Sequence, residues 1–260
     1  MYRSHLPTCD SLLAPSRELL ALYGYLLGML GGRDLRQKNE PGKLEETNDP
    51  SNLTCQAFNM AATKEMVVYV FDNLLRYFDK EQHIISPSFE NDSYPLFVSY
   101  HKIKSNGHNQ LRGCKGSFRA HPLHSGLADF ALNSAFDDNR FSPVDPSEVQ
   151  QLEASVNLLF QFENARDAYD WEVGVHGIII DFSDPNNGKH RNATYLPHVT
   201  IEQGWDHDQA LESLIRKAGY NGKVTPSLIA SIKLTRYQSS ETSMGYEDYL
   251  LYKDHLLKKT

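Results

Sequence analysis

Hydrophobic residues recur with the period of an α-helix over residues 66–78. They are Met66, Val67, Val70, Phe71, Leu74, Leu75 and Phe78. This spacing places them on one face of a helix. Thr63 precedes the stripe and is a suitable N-cap, because its hydroxyl can accept a hydrogen bond from the first turn. The pattern predicts a helix near Thr63, at the start of the ordered domain.

The period changes to two residues from Pro95, which is typical of a half-buried strand. Leu96, Val98 and Tyr100 fall on one face, and Phe97, Ser99 and His101 fall on the other. Residues 105–109 read Ser-Asn-Gly-His-Asn and predict a turn, so that the chain from Leu111 returns as an antiparallel partner. Residues 152–162 alternate in the same way and predict a further strand.

The remaining pattern alternates short helices with paired strands. It predicts a helix over 125–135, a capped helix start at Asp145, a hairpin of 178–182 with 193–196, a helix capped by Asp206 and a last strand over 229–237. Strands joined by tight turns, with helices between pairs, predict an α+β fold with an antiparallel sheet flanked by helices. The chain has no GxGxxG motif and no P-loop, so we expect no nucleotide cofactor.

An apolar, uncharged run occupies residues 19–32, upstream of the predicted domain. It is shorter than the roughly 20 residues that span a bilayer, and Arg17 and Glu18 precede it without a clear signal-peptide cleavage site. We interpret it as a loosely packed extension or a short helix on the domain, followed by a flexible linker over 33–54. The predicted organisation is an extension over 1–60, a domain over 61–250 and a C-terminal tail over 251–260.

Composition narrows the class of protein. With 40% hydrophobic and 23% charged residues, the chain is typical of a soluble globular protein. Its net charge of -7 argues against a nucleic-acid-binding function that depends on general positive charge. The three cysteines, at 9, 55 and 114, form neither a disulfide framework nor a CxxC metal motif, which favours a reducing compartment.

The segment Leu111–Gly116 is the first candidate site, because two glycines bracket Cys114. If the segment is a loop at the end of a strand, Arg112 and Lys115 would lower the thiol pKa, and His121, His124 or His176 would complete a nucleophilic site. The alternative is a buried cysteine whose glycines are required by a tight turn.

The segment Asp170–Gly177 is the second candidate, with two carboxylates and an indole before a histidine. His176 would act as a general base or metal ligand together with Glu172 or Asp170. The alternative is a turn in which the histidine hydrogen-bonds the backbone and Trp171 covers the core. The spacings of His121–His124 and Asp206–Asp208 match no recognised zinc set, so we expect neither metal nor cofactor.

The order of several motifs resembles a known family. They are Leu111-Arg112-Gly113-Cys114-x-Gly116, Leu123-His124-Ser125-Gly126-Leu127, Asp138-x-Arg140-Phe141-x-Pro143, Asp170 to Ile178, Ala193 to Pro197, Glu202 to Asp206 and Lys233 to Tyr237. Together they are similar to the AMMECR-type domain, named after a candidate gene for a human syndrome of Alport features, midface hypoplasia and elliptocytosis. The resemblance covers residues 65–249, and Lys115 departs from it, since the family usually has isoleucine there.

The resemblance implies two α/β subdomains with a groove lined by the Arg112–Gly116 segment. It also implies an intracellular protein, in the cytoplasm or nucleus, without an established catalytic activity. Prokaryotic relatives are often encoded beside, or fused to, Memo-type and radical-SAM proteins, which suggests shared chemistry or complex formation. The lysine at position 115 then either faces solvent or marks a changed binding surface.

Two functions follow as hypotheses. The first is an adaptor that binds an intracellular protein through the glycine-framed segment around Cys114, without binding nucleic acid or membrane. The second is an enzyme, or a protein that binds a small ligand or metal, with Cys114, His124 and His176 as its reactive groups. The predicted binding surface comprises Arg112, Gly113, Cys114, Gly116, Trp171, Glu172 and His176.

Overall fold

Six antiparallel strands form one sheet in the order β2-β1-β3-β6-β4-β5. The computed structural model describes residues 61–103 and 109–258. The elements are α1 (Lys64–Phe78), β1 (Ser93–Ile103), β2 (Asn109–Pro122), α2 (Leu123–Phe136), a 3-10 helix (Pro146–Gln151), β3 (Leu152–Asn164), β4 (Gly177–Ser183), β5 (His190–Tyr195), α3 (Pro197–Glu202), α4 (His207–Lys217), α5 (Pro226–Ser231), β6 (Lys233–Gly245) and α6 (Tyr246–Leu257). The predicted α+β fold with an antiparallel sheet is confirmed.

Three helices begin at the capping residues predicted from the sequence. The Thr63 hydroxyl accepts a hydrogen bond from the first turn of α1. Asp145 and Glu148 form a reciprocal capping box at the 3-10 helix, and Asp206 and Gln209 form another at α4. These caps satisfy backbone N–H groups that have no partner inside the helix, which is why each helix begins where it does.

Two parts of the predicted organisation are corrected. Residues 229–231 belong to α5, because Thr225 caps that helix and Pro226 occupies its first turn, so the last strand begins only at Lys233. Residues 251–257, assigned to a tail, continue α6 and bury Lys253. The apolar run 19–32, the linker 33–54, the turn residues 105–108, Cys9 and Cys55 lie outside the described residues.

Helices cover one face of the sheet in two separate hydrophobic clusters. The first cluster packs α1, α2 and α6 on β1 and β3 and includes Met244, while the second packs α4 and α5 on β4 and β5 and includes Leu234. Leu234 and Met244 are an even number of residues apart on β6, so they share a face. The two expected subdomains are therefore two lobes of one continuous sheet.

The opposite face of the sheet is curled inward, and we call it the concave face. A smaller cluster of Phe97, Cys114, Leu159 and Tyr237 lies on it. His198 and Glu202 of α3, which follows β5, act electrostatically on His101 of β1. The sheet must curl for these groups to approach, because β1 and β5 lie several strands apart. None of the helices in the described ranges is long and apolar enough to cross a membrane.

Candidate functional site

Cys114 lies in the middle of β2, opposite Ser99 of β1, and not in a loop at a strand end. The flanking glycines serve close packing. A Cβ at Gly113 would lie 1.9 Å from the backbone oxygen of Ser134, and a Cβ at Gly116 would lie 2.3 Å from the Leu96 oxygen. The expectation that a tight turn requires these glycines is wrong, because neighbouring backbone occupies the space of a side chain.

The Cys114 thiol is held in its neutral form. Burial raises its pKa and outweighs the hydrogen bond with Ser99 and the charge of Arg140, which lower it. The expected activation by Lys115 does not occur. Lys115 is only 4% exposed and lies opposite Val98, on the sheet face covered by helices. The idea that this lysine faces solvent is therefore wrong.

Arg112 leaves the sheet at a β-bulge and holds a neighbouring segment. The register shifts between the pairs that flank it, which re-aims its side chain. Its guanidinium donates to the carbonyl of Ser142 at 2.7 Å, to that of Pro143 at 3.1 Å and to Glu148 Oε2 at 2.9 Å. Arg112 thus clamps the segment before β3 and is directed away from the thiol.

Asp138 covers the free edge of β2 beside Cys114. Its Oδ2 accepts the Cys114 N–H at 2.9 Å, and Arg140 pairs with it at 2.5 Å. Burial raises the pKa of Asp138. The hydrogen bonds from Arg140 and from the Cys114 N–H together outweigh this effect, so the pKa of Asp138 is below its usual value. The edge is closed here, because a side chain already occupies the backbone donor that an added strand would need.

The three predicted reactive residues lie in different places. His124 follows the end of β2, about 20 Å along the sheet from Cys114, because the β1 partners of Cys114 and Pro122 lie six residues apart at 3.3 Å per residue. Its Nε2 lies 2.9 Å from the Phe89 carbonyl, and its ring packs against Phe89 and Tyr69. His176 precedes β4, and its Nδ1 accepts the Glu172 N–H at 3.0 Å. The structure does not bring these histidines to the thiol.

The segment Asp170–Gly177 forms a turn in which the histidine hydrogen-bonds the backbone and Trp171 covers the core, the second of the two interpretations offered by the sequence. Trp171 is 5% exposed, donates from Nε1 to the Ala168 carbonyl and packs on His207 with ring centroids 4.5 Å apart. Gly174 has φ +81° and lies against Ile201. His176 hydrogen-bonds the backbone, as that alternative requires.

Charged side chains line an open depression of about 390 Å³ beside this turn. Asp170 pairs with both Arg166 and Arg236, each at 3.0 Å. The Arg166 hydrogen bonds hold the pKa of Asp170 well below its usual range. Two arginines, Arg166 and Arg236, face three carboxylates, Asp167, Asp170 and Glu172, so the depression carries at most a small negative charge.

The concave face surrounds Cys114 with polar residues that the sequence did not single out as site residues. Cys114, Ser99, Ser155 and Ser243 form one row across β2, β1, β3 and β6. Phe97, Asn157 and Glu241 form the adjacent row, and His101 lies opposite Glu153. The alternation along each strand indicated which residues share a face, but only the register brings the rows together.

Comparison with known proteins identifies the family. The sequence profile of the AMMECR1 family matches residues 67–242. The chain belongs to the AMMECR1 family. An uncharacterized protein of Arabidopsis thaliana is 46% identical over 193 residues, which cover 74% of this chain and 90% of that protein. An uncharacterized protein of Schizosaccharomyces pombe is 47% identical over 159 residues, covering 61% of this chain and 79% of that protein.

A solved structure confirms the fold. The crystal structure of an uncharacterized protein from Pyrococcus horikoshii matches with a TM-score of 0.56 and 22% identity, and covers 73% of this chain and 95% of that protein. At this identity the likeness concerns the fold alone. The family resemblance predicted from the sequence motifs is confirmed.

The AMMECR1-family motifs now have structural explanations. The motif at Arg112 and the motif from Asp138 to Pro143 are one unit, in which each holds the backbone of the other. Within the described residues, no group of three His, Cys, Asp or Glu side chains is arranged to hold a metal ion.

The ion pair between Arg112 and Glu148 predicts that the stability of the fold depends on pH. The Arg112 hydrogen bonds lower the pKa of Glu148 from 4.5 to about 2. Because the folded pKa is below the unfolded one, this contribution is complete above pH 4.5 and is lost as the pH falls toward 2. In urea unfolding across this range, the stability difference between the natural chain and Glu148→Gln should narrow on acidification.

Glu90→Gln provides the matched control, because Glu90 is exposed. Its stability should follow that of the natural chain at every pH. If the difference in unfolding free energy between the natural chain and Glu148→Gln stays constant from neutral to acidic pH, the Arg112–Glu148 ion pair does not have this role.

Proposed function

We propose that this AMMECR1-family protein is an adaptor, and that it binds a segment of another intracellular protein on the concave face beside Cys114. The supporting observation is that polar side chains from β2, β1, β3 and β6, together with those of α3, lie around one surface. Glu241 and Ser243 are exposed at its rim. Binding residues commonly occupy concave surfaces held by a rigid scaffold.

The partner would dock on the face of the sheet and not along its edge at Cys114. Asp138 Oδ2 accepts the Cys114 N–H at 2.9 Å, and this N–H points to the free edge of β2. Strand addition requires free backbone groups, and this contact removes one of them beside Cys114.

The geometry supports binding over catalysis by the predicted groups. A nucleophilic thiol needs a base within hydrogen-bond reach or a lowered pKa. Cys114 has a raised pKa, and His124 and His176 have their contacts elsewhere. We also propose a cytoplasmic or nuclear location, since the sparse cysteines suit a reducing compartment.

Affinity purification with a blocked concave face tests the adaptor role. Ser243→Trp places an indole at the rim of the face, and Ser125→Trp places one at an exposed position of α2. Specific partners should be lost with Ser243→Trp and retained with Ser125→Trp. Equal recovery with both variants, or no partner above background, would refute the proposed surface.

Thiol labelling tests the catalytic alternative. We expect Cys114 in the native chain to resist alkylation at neutral pH and to react only after denaturation, because burial keeps the thiol protonated. Mass spectrometry of the Cys114 peptide gives the rate, and a variant with Cys9→Ser and Cys55→Ser removes the other thiols. Native labelling faster than that of the denatured chain would restore the nucleophile hypothesis.

A further inference from the structure

Helix α6 exposes three leucines to solvent. Leu250 is 43% exposed, Leu251 is 72% exposed and Leu257 is 48% exposed. The opposite side of the helix packs on α1 through Tyr249 and Lys253. Leu250 and Leu257 are two helical turns apart and share one side of α6, and Leu251 adjoins Leu250. We call these three side chains the leucine face, because exposed apolar groups that cluster in this way mark an interaction surface.

The described part of the chain begins beside this helix. The Ala62 N–H donates to Ser240 Oγ at 3.0 Å, and the Ala62 carbonyl accepts from the Thr242 hydroxyl at 2.7 Å. Both partners belong to β6, which leads directly into α6. Lys64 Nζ lies 5.9 Å from the centre of the Tyr252 ring on α6. The residues that precede the domain therefore join it on the side of the sheet that carries the leucine face.

The sequence before the domain contains a segment that complements the leucine face. The apolar run 19–32 has no charged residue and includes six leucines and one methionine. Leu19, Leu22 and Leu26 follow the i, i+3, i+7 spacing of one side of a helix. Transfer of apolar surface out of water is favourable, so both the apolar run and the leucine face gain free energy by covering each other.

The chain between the two surfaces is long enough for them to meet. Residues 33–60 separate the apolar run from the domain and can span at most about 90 Å when extended. Helix α6 has 12 residues and is only about 18 Å long. A covalent tether also raises the effective concentration of the segment at its own domain. The same chain is therefore favoured over a second copy as the source of the occupant.

We propose that the apolar run 19–32 packs against the leucine face of α6 in the same chain. The contact holds the apolar run on the helix-covered side of the sheet and leaves the concave face open. The inference concerns a different surface from the proposed function, so either one can fail without the other.

Hydrogen exchange of the full chain, followed by mass spectrometry, tests the contact. Amides of the apolar run should exchange about tenfold faster in Leu251→Glu than in the natural chain, because packing would bury an unpaired carboxylate. Ile201→Glu is the matched control, since Ile201 is 62% exposed on α3, and it should leave the exchange of the apolar run unchanged. Unchanged exchange of α1 shows that the domain of each variant is folded. Equal exchange of the apolar run in the natural chain and Leu251→Glu would overturn the inference.

Disulfide trapping identifies the occupant of the leucine face. In a chain with Cys9→Ser and Cys55→Ser, Leu26→Cys is combined with Leu251→Cys or with Ser227→Cys, which is exposed on α5. With oxidised glutathione as the oxidant, the Leu251→Cys pair should form an intramolecular disulfide faster than the Ser227→Cys pair. Non-reducing electrophoresis separates monomers from crosslinked dimers. Equal rates for the two pairs, or a disulfide mainly between two copies, would overturn the inference.

Discussion

Replacing Asp72 with alanine is expected to lower the free energy of unfolding by about 3–5 kcal/mol, because it leaves a buried cation without its partner. Asp72 is fully buried in α1. Its carboxylate accepts from Lys253 Nζ at 2.6 Å, from the Tyr249 hydroxyl at 2.8 Å and from the Ile85 N–H at 3.0 Å. The network joins α1 to α6 and to the segment between α1 and β1.

Urea unfolding of matched variants measures this effect. Asp254→Ala is the control, since Asp254 of α6 forms an exposed ion pair with Lys258, the residue that follows the helix, and exposed pairs contribute only about 0–1 kcal/mol. The double variant Asp72→Ala with Lys253→Met should be more stable than Asp72→Ala alone, because it removes the stranded charge. A loss below about 1 kcal/mol for Asp72→Ala would refute this account of the network.

Gly113→Ala is expected to cost about 3 kcal/mol, at the upper end of the cost of overpacking. The added Cβ would lie 1.9 Å from the Ser134 carbonyl oxygen. Ser134 is fixed by its hydroxyl contacts with Lys115 and Val98, so α2 can move away only by breaking the bridge between β1 and β2. In Gly113→Ala, we expect α2 to pack less closely on the sheet, together with the lower free energy of unfolding.

Gly245→Ala is the matched control for this prediction. The nearest atom to a Cβ at Gly245 is the Ile103 Cδ1 at 3.8 Å, which is an ordinary contact. Thermal and urea unfolding should show a small change for Gly245→Ala and a large one for Gly113→Ala. Similar stabilities for the two variants would show that α2 yields easily and that the close approach is not required.

The tertiary contacts of the candidate site leave no pattern in the local sequence. The pair of glycines around Cys114 was assigned to a tight turn, because a short sequence cannot distinguish a turn from the close approach of Ser134. Arg112 was expected beside the thiol, and a bulge directs it to Glu148 instead. Asn157 gave no signal, since one polar residue in an alternating strand is unremarkable until its neighbours across the sheet are known.

Most local structure and the family could be predicted from the amino-acid sequence alone. Helix caps such as Thr63 and Asp206 act within three residues, and alternation along 152–162 assigned each side chain to a face, so both signals are contained in short segments. Strand register, the burial of Cys114 and the pairing of Asp72 with Lys253, 181 residues away, became known only from the folded structure. Such contacts depend on the packing of elements far apart in the chain, and no local pattern records which of many compatible partners will meet.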